Sequence, residues 1–295
     1  GVVGPQLHRP PFPVGWFAVA GVDELPGGAL VPLAVFGQDL AVGRTPDGRA
    51  LVTHSVCPHL GADLAAGGRI DDDEVVCPLH EWSFSHGGAC TSAADGPIPK
   101  TARLRVWPTE VVGGTVWAFN GRDGEPPTSP PPVLDDAVDA VADTGVETRY
   151  RTTAEAGYRP EIRPGHPEDV LAGILAYIGA IDGAPCVDDP GTWVGTGPDG
   201  PRARVRGPGT VVVRRPDGVD EVVHVTPVDG FSVMVRTVTG TQLPDVEPTG
   251  ADPSAFRAWY RRFDHSMTPG PLPARSGRAA RRRASAAGAG ETPAG

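Results

Sequence analysis

The chain has 295 residues, which is enough for two domains of ordinary size, each with its own hydrophobic core. Its 26 basic and 36 acidic residues give a formal net charge of -10, which opposes binding to nucleic acid or to anionic lipid. No run of uncharged apolar residues is long enough to span a bilayer, and the N-terminal segment lacks the apolar core of a signal peptide. We therefore expect a soluble, cytoplasmic protein, and the absence of an initiating Met indicates a processed or incomplete N-terminus.

The first part of the chain, from Trp16 to Asn120, consists of short β-prone segments separated by Gly, Pro and Asp turns. Strands of this length and spacing are typical of a small antiparallel β domain, which we place at residues 13–121. The segment that follows is rich in proline, which is excluded from sheet interiors and favours an extended spacer. Residues 122–145 are therefore predicted to be a linker.

The second part of the chain mixes helix and strand patterns. Apolar residues recur at helical spacing after His166, and Pro167 suits the first turn of a helix there. A second helix is predicted at SAFRAWYRRF, and strands are predicted at VETRYRTT, TVVVRRP, EVVHVTPV and FSVMVRTVTG. The fold class is thus α+β, with this second domain at residues 146–268. Residues 269–295 are poor in aromatic and branched side chains, and we expect a disordered, solvated tail.

Four potential metal ligands lie in two short motifs of the first domain. Cys57 and His59 form a Cys-x-His motif, and Cys77 and His80 form a Cys-x-x-His motif. Two thiolates and two imidazoles can hold either one tetrahedral zinc ion or a two-iron cluster with cysteines on one iron and histidines on the other. Because each motif supplies one Cys and one His, the spacing favours the cluster, and a zinc-stabilised binding module remains the alternative. The other two cysteines, Cys90 and Cys186, are expected to be small apolar thiols.

The sequence around these motifs resembles a known family. CPHLGADL and CPLHEWSF, preceded by GWFAVA and followed by LRVWP, resemble the Rieske domain of Rieske non-haem iron oxygenases. The resemblance implies a [2Fe-2S] cluster in which Cys57 and Cys77 bind one iron and His59 and His80 bind the other. His54 and His86 match no ligand position in this family.

Three neighbouring positions indicate the subtype of the cluster. Ala62 and Leu79 stand where high-potential Rieske proteins carry a disulfide, and Trp82 stands where those proteins carry a hydroxyl group. With fewer hydrogen bonds to its sulfurs, the cluster is expected in the lower part of the Rieske range of reduction potential. Glu81 occupies a position where glycine is usual in the oxygenases.

The segment EIRPGHPEDVLAGILAYIGAIDGAP resembles steroid 9α-hydroxylase and cholesterol 7-desaturase relatives. The resemblance implies a shortened helix-grip domain, which in the family holds a mononuclear iron through two His and one carboxylate. Alignment on His166 and Pro167 puts residues without metal-binding side chains at the family's Glu-Asn, Asp and two His positions, namely Ala172, Gly173, Ala176, Gly179 and Ala184. No His occurs between His166 and His224, so no shift of register restores the pair.

We therefore expect no mononuclear iron held by the family motif. An improvised site would have to combine side chains from separate elements, drawn from His166, His224, His265, Asp264, Glu161 and Glu168.

Two functions follow from the resemblance. The first is an oxygenase component that takes electrons from a ferredoxin or a flavin reductase and hydroxylates or desaturates a bulky, apolar, steroid-like substrate. The second is an electron-transfer or regulatory pseudo-oxygenase that keeps the cluster and passes its electrons to another protein, such as a catalytic paralogue in a mixed oligomer. The family resemblance implies a trimer, and we expect no nucleic-acid partner and no membrane span.

Overall fold

The computed structural model of the chain describes residues 12–94, 96–132, 160–214, 220–237 and 252–263. The N-terminal part is built from short antiparallel strands in three small sheets. The first sheet has the order β1-β11-β10 and joins the two ends of this part, with strands β1 (Gly15–Gly21), β10 (Thr109–Val112) and β11 (Thr115–Asn120).

The other two N-terminal sheets support the predicted ligand loops. One has the order β2-β3-β4-β9, with strands β2 (Leu30–Val35), β3 (Gln38–Arg44), β4 (Ala50–His54) and β9 (Val106–Trp107). The other has the order β5-β6-β7-β8, with strands β5 (Arg69–Asp71), β6 (Glu74–Val76), β7 (Ser83–Phe84) and β8 (Cys90–Ser92). One ligand loop follows β4, and the other connects β6 to β7, so each begins at the end of a hydrogen-bonded strand.

The second part is a seven-stranded antiparallel sheet with two helices on one face. The strands run in the order β12-β18-β17-β16-β15-β14-β13, with bounds β12 (Glu161–Pro164), β13 (Gly183–Pro185), β14 (Thr192–Gly197), β15 (Gly200–Arg206), β16 (Thr210–Arg214), β17 (Asp220–Pro227) and β18 (Ser232–Thr237). The helices are α1 (Pro167–Tyr177) and α2 (Ser254–Tyr260). Short 3₁₀ helices in the described part of the chain span Val22–Glu24, Arg122–Gly124 and Arg261–Phe263.

The central strands of this sheet are buried on both faces, which explains their continuous runs of valine. In β16, Val211 and Val213 pack with the buried side chains of both helices, whereas Val212 packs on the opposite side against aromatic residues of the first sheet. Successive side chains of a strand point to opposite faces, so a run of three valines serves two hydrophobic cores at once.

The first sheet is packed against the face of the seven-stranded sheet that lies away from the helices. Trp117 of β11 is fully buried there, with its ring edge-on to the ring of His224 at a centroid distance of 5.2 Å. The Thr226 hydroxyl donates a hydrogen bond of 2.6 Å to the Ala18 carbonyl, and Arg236 pairs with Glu24. The N-terminal strands and the C-terminal sheet therefore share a polar and apolar contact surface.

The α+β class predicted from the sequence is confirmed. The predicted helix after His166 and the predicted strands at TVVVRRP, EVVHVTPV and FSVMVRTVTG are present, within a few residues at each end. The hairpin of β14 and β15 was not predicted. The predicted strand VETRYRTT, most of the linker and the tail at 269–295 lie outside the described residues, and the domain limits 13–121 and 146–268 stay predictions.

Candidate metal centre

The two ligand loops close with the same pattern of backbone hydrogen bonds. In the first loop, the N–H of Cys57 donates to the Ala62 carbonyl at 2.8 Å. In the second, the N–H of Cys77 donates to the Trp82 carbonyl at 2.9 Å. In both loops the residue four places after the cysteine donates its N–H to the cysteine carbonyl, at 3.0 Å from Gly61 and 3.1 Å from Glu81. The Cys and His side chains of the two loops are therefore held by the same pattern of backbone hydrogen bonds.

This closure requires a left-handed backbone at the fourth residue after each cysteine. Gly61 has a φ of 84° and Glu81 has a φ of 53°. Glycine adopts this conformation without a steric penalty, but a residue with a Cβ atom costs about 1–2 kcal/mol there. The glutamate that the sequence shows at a usual glycine position is therefore held in a strained conformation by the loop around it.

The two motif cysteines meet in the core of the N-terminal part. Cys57 and Cys77 are each 2% exposed, and their thiols are hydrogen-bonded to each other. Burial raises the pKa of the Cys57 thiol to about 11, and contact with Cys77 contributes in the same direction. The backbone N–H groups of His59 and Leu60 hydrogen-bond to the Cys57 sulfur. Deprotonation of the Cys57 thiol is therefore favoured by a cationic partner, which a bound iron would supply.

The two motif histidines meet nearer the surface. The rings of His59 and His80 are 5.0 Å apart between centroids, and both residues are half-buried. Trp82 lies parallel to the His59 ring at a centroid distance of 4.1 Å and is itself buried. Trp82 therefore fixes the plane of the His59 imidazole, and His80 of the second loop supplies the other imidazole.

The four side chains are thus grouped by chemical type, with two sulfurs together and two imidazoles together. A two-iron cluster in which each iron takes one pair fits this grouping, and the donor set suits the group. The assignment of Cys57, Cys77, His59 and His80 as cluster ligands stays a prediction. His54 accepts a hydrogen bond from the Val56 N–H through Nδ1, and His86 contacts the Ala50 carbonyl, so both are used outside the ligand set.

Replacing Trp82 with alanine is expected to accelerate loss of the cluster. The change removes the stacking partner of His59 and opens a cavity in the core around the cysteines, a class of change that costs about 3–5 kcal/mol. The decay of visible absorbance in the presence of an iron chelator measures this effect. Trp82→Phe keeps an aromatic face and is the matched control, with a decay rate close to that of the native protein. An alanine variant that decays no faster than the native protein would contradict the role given to Trp82.

The described residues of the second part do not bring the candidates for an improvised iron site together. His166 is the residue preceding α1, whereas His224 is buried in β17 with its Nδ1 hydrogen-bonded to the Thr210 hydroxyl at 3.0 Å. Burial lowers the pKa of His224 to about 3, with the positive charge of Arg236 as a smaller cause. Within residues 160–214, 220–237 and 252–263, no three His, Cys, Asp or Glu side chains converge on one point. Asp264 and His265 lie outside the described residues.

The positions aligned with the family's iron ligands are used for packing and chain reversal. Ala172 is buried on the inner face of α1 and Ala176 packs beside it. Gly179 follows the helix with a φ of 67°, and Ala184 lies exposed on the edge strand β13. None of these side chains has an atom that can bind a metal, so the described residues do not fit a mononuclear iron at this place.

Sequence reasoning missed several residues at the surface of the centre. Leu60 and Leu79, each next to a motif histidine, are 60% and 58% exposed. The hairpin residues Asp71 to Asp73 line an open pocket with Glu81. The sequence shows the leucines as apolar residues next to the motif histidines, but the pocket forms only where β5 lies beside the second loop, as the Arg69–Glu81 pair shows.

The paired side chains are those of an iron–sulfur site, and the domain that holds them is followed by a sheet with two helices on one face. Residues 15–108 match the family model of the Rieske [2Fe-2S] domain, so this part of the chain is a Rieske domain and its cofactor is a [2Fe-2S] cluster. The chain is related to the Rieske non-haem iron oxygenases.

Sequence relatives include steroid-modifying enzymes, matched over part of their length. Cholesterol 7-desaturase of Bombyx mori is 39% identical over 131 residues, covering 43% of this chain and 29% of the relative. The oxygenase component of 3-ketosteroid-9-alpha-monooxygenase from Mycolicibacterium smegmatis is 32% identical over 114 residues, covering 38% of this chain and 30% of the relative. This chain thus spans about a third of the length of these curated relatives.

Solved structures share the fold over most of the chain. Dicamba monooxygenase bound to dicamba superposes with a TM-score of 0.52 at 18% identity, over 77% of this chain and 76% of that chain. The oxygenase of carbazole 1,9a-dioxygenase, solved in complex with its ferredoxin, gives a TM-score of 0.51 at 15% identity, over 77% and 71%. Among the described residues of this chain, no helix has the length and hydropathy needed to cross a bilayer.

Proposed function

We propose that this chain is the Rieske component of an oxygenase-type system that acts on a bulky, apolar, steroid-like substrate. The observation that carries the proposal is the grouping of the side chains by type, with Cys57 and Cys77 in contact and His59 and His80 adjacent. A bound [2Fe-2S] cluster supplies one-electron transfer. The substrate class is suggested by the names of the relatives, which act on cholesterol and on 3-ketosteroids.

The residues around the cluster fall into two groups: one binds the cluster, and the other forms the surface at which electrons enter and leave. The cysteine pair is enclosed by the core of the N-terminal part, with Leu64, Phe84 and Leu104 fully buried in the same cluster of side chains. This apolar enclosure keeps water from the thiolates and favours the iron-bound form. The half-buried imidazoles form the surface end of the site, so an electron enters and leaves through His59 and His80. A ferredoxin or a flavin reductase is the proposed donor.

The reaction partner of the cluster is proposed to lie on another molecule. In the resembled family the electron reaches a mononuclear iron on the helix-grip domain, but Ala176, Gly179 and Ala184 occupy the corresponding places here. The His224 side chain is hydrogen-bonded to Thr210 and packs against Trp117. The second domain then acts as a scaffold for the Rieske domain, and the oxygen-activating iron belongs to a partner such as a catalytic paralogue in a mixed oligomer.

A single-turnover experiment tests this division of labour. The chain alone, reduced with dithionite and mixed with oxygen and a 3-ketosteroid, is expected to be reoxidised without forming hydroxylated or desaturated steroid, because the described residues of its second domain do not supply the iron ligands. Mass spectrometry of the extracted steroid measures the product. Product formed in an amount comparable to the protein would show that the chain holds a catalytic iron of its own.

A further inference from the structure

The histidine end of the centre carries an apolar patch that no part of the described chain covers. Leu60 follows His59 in the first loop, and Leu79 precedes His80 in the second, so the two exposed leucines flank the adjacent imidazoles. Val56 extends this patch and is 42% exposed. Large apolar side chains grouped at the point of electron exchange are typical of the centre of a transient protein interface.

The surface beside this patch is strongly acidic. The residues lining the adjacent open pocket of about 510 Å³ include one basic side chain and five acidic ones, namely Arg69, Asp71, Asp72, Asp73, Glu74 and Glu81. Glu81 directly follows His80, so the acidic surface begins next to the imidazole pair. Arg69 pairs with Glu81 at 3.5 Å and Arg49 pairs with Asp73 at 3.7 Å, so Asp71 and Asp72 set the sign of the local potential. The whole chain, with its net charge of -10, adds to the same field.

We propose that this patch and its acidic border are the docking surface for an electron-transfer protein whose own docking surface carries Lys and Arg around an apolar centre. The proposal rests on the proposed function, because it concerns the exchange of electrons at the same cluster. Charge complementarity selects the partner: a basic surface is attracted and oriented toward His59 and His80, whereas an acidic one meets like charge. A partner with an acidic face is therefore excluded from this docking mode.

Rapid mixing of the dithionite-reduced protein with ferricytochrome c, a basic protein, tests the proposal. One electron passes from the reduced cluster to the ferric haem, with no proton or bond change. For the native protein at low ionic strength we expect a second-order rate constant about 10-fold or more above that in ~0.5 M salt, since steering by charge has this size and is screened by salt.

A charge-neutralised variant tests whether the attraction of cytochrome c arises at the acidic border of the patch. Asp71→Asn, Asp72→Asn and Glu81→Gln together are expected to lower the rate with ferricytochrome c about 10-fold at low salt, and to raise the rate with ferricyanide, a small anion. The matched control neutralises three exposed aspartates of the C-terminal part, Asp182, Asp188 and Asp199, and is expected to leave the rate with cytochrome c within about two-fold of native. The visible and EPR spectra of each variant verify the cluster.

The outcomes separate this proposal from the proposed function. A protein that reduces neither oxidant after dithionite treatment has no functional cluster, and the proposed function fails with it. A protein that reduces ferricyanide, but whose rate with cytochrome c does not depend on salt or on the acidic residues, overturns the docking surface alone. A neutralised variant that changes only the sedimentation coefficient also overturns it, because the surface would then be a contact between copies of this chain. A native rate with cytochrome c that does not depend on salt overturns the docking surface even if the variant does not fold.

Discussion

Substitution of Cys77 by serine is expected to yield a protein without the [2Fe-2S] cluster. Cys77 is 2% exposed and hydrogen-bonded to Cys57, and it belongs to the predicted pair that binds one iron. A serine hydroxyl does not replace a thiolate as a soft ligand to iron, and it would leave a polar group buried among apolar side chains. Iron analysis, visible absorption and EPR of the reduced protein measure the loss, which we expect to be complete.

Cys90→Ser is the matched control for this substitution. Cys90 lies in the same domain on β8, is only partly buried, and its thiol donates a hydrogen bond to the Ser92 carbonyl that a hydroxyl can also make. The control is expected to keep its iron and its spectra. A Cys77→Ser protein with an unchanged Rieske signal would remove Cys77 from the ligand set, and loss of the signal in both variants would point to a general failure of folding.

The second large effect concerns His224 and the stability of the fold in acid. Burial against Trp117 lowers the pKa of His224 from 6.5 to about 3. Above pH 6.5 the side chain is neutral in both the folded and the unfolded chain, and it does not change the free energy of unfolding. Below pH 6.5 the unfolded chain binds a proton that the folded chain does not bind, so stability falls as the pH decreases. The loss continues until about pH 3, where the folded state is protonated as well.

The expected slope from this one group is about 1.4 kcal/mol per pH unit between these limits. Denaturant unfolding at several pH values measures the slope, and the comparison with His224→Gln removes the background of titrating carboxylates. The variant should lose this contribution, although its free energy of unfolding near neutral pH falls because the hydrogen bond with Thr210 is altered. Equal slopes for the native protein and His224→Gln would show that His224 is not held neutral by burial.

The centre could be predicted in large part from the sequence because its chemistry fixes both residue type and spacing. Two Cys and two His in two short motifs leave few alternatives, and the structure brings Cys57 to Cys77 and His59 to His80, while their assignment as ligands stays a prediction. The main strands were predicted for a similar reason, since buried strands need continuous valine-rich runs such as TVVVR in β16.

Other features depend on contacts between distant parts of the chain and leave little local signal. The β14 and β15 hairpin was missed because its turn, rich in Gly and Pro, and its alternating arginines favour an exposed loop, whereas Ala203 and Val205 are buried under the helices. The sequence shows a glutamate at a usual glycine position, but only the structure places Glu81 beside Arg69 in an acidic pocket. The sequence likewise indicates only that His224 lies in a strand, and the structure is needed to show that Trp117 packs against it.

The first part of the chain is a Rieske [2Fe-2S] domain, and the positions of its second domain that align with the family's iron motif carry no metal-binding side chains. The helix that carries this iron motif in the resembled family is kept as a packing element here, with Leu171, Ile174 and Leu175 buried against the sheet. Under the proposed function, the electron of the cluster is used by the molecule that docks.

Iron analysis combined with EPR spectroscopy of the purified protein tests the central claim most directly. We expect about two irons per chain, no zinc, and a Rieske signal after reduction that accounts for one electron per cluster. We also expect no high-spin ferrous site that responds to nitric oxide. A third iron with that response would contradict the absence of a mononuclear site, and a colourless protein containing zinc would contradict the cluster itself.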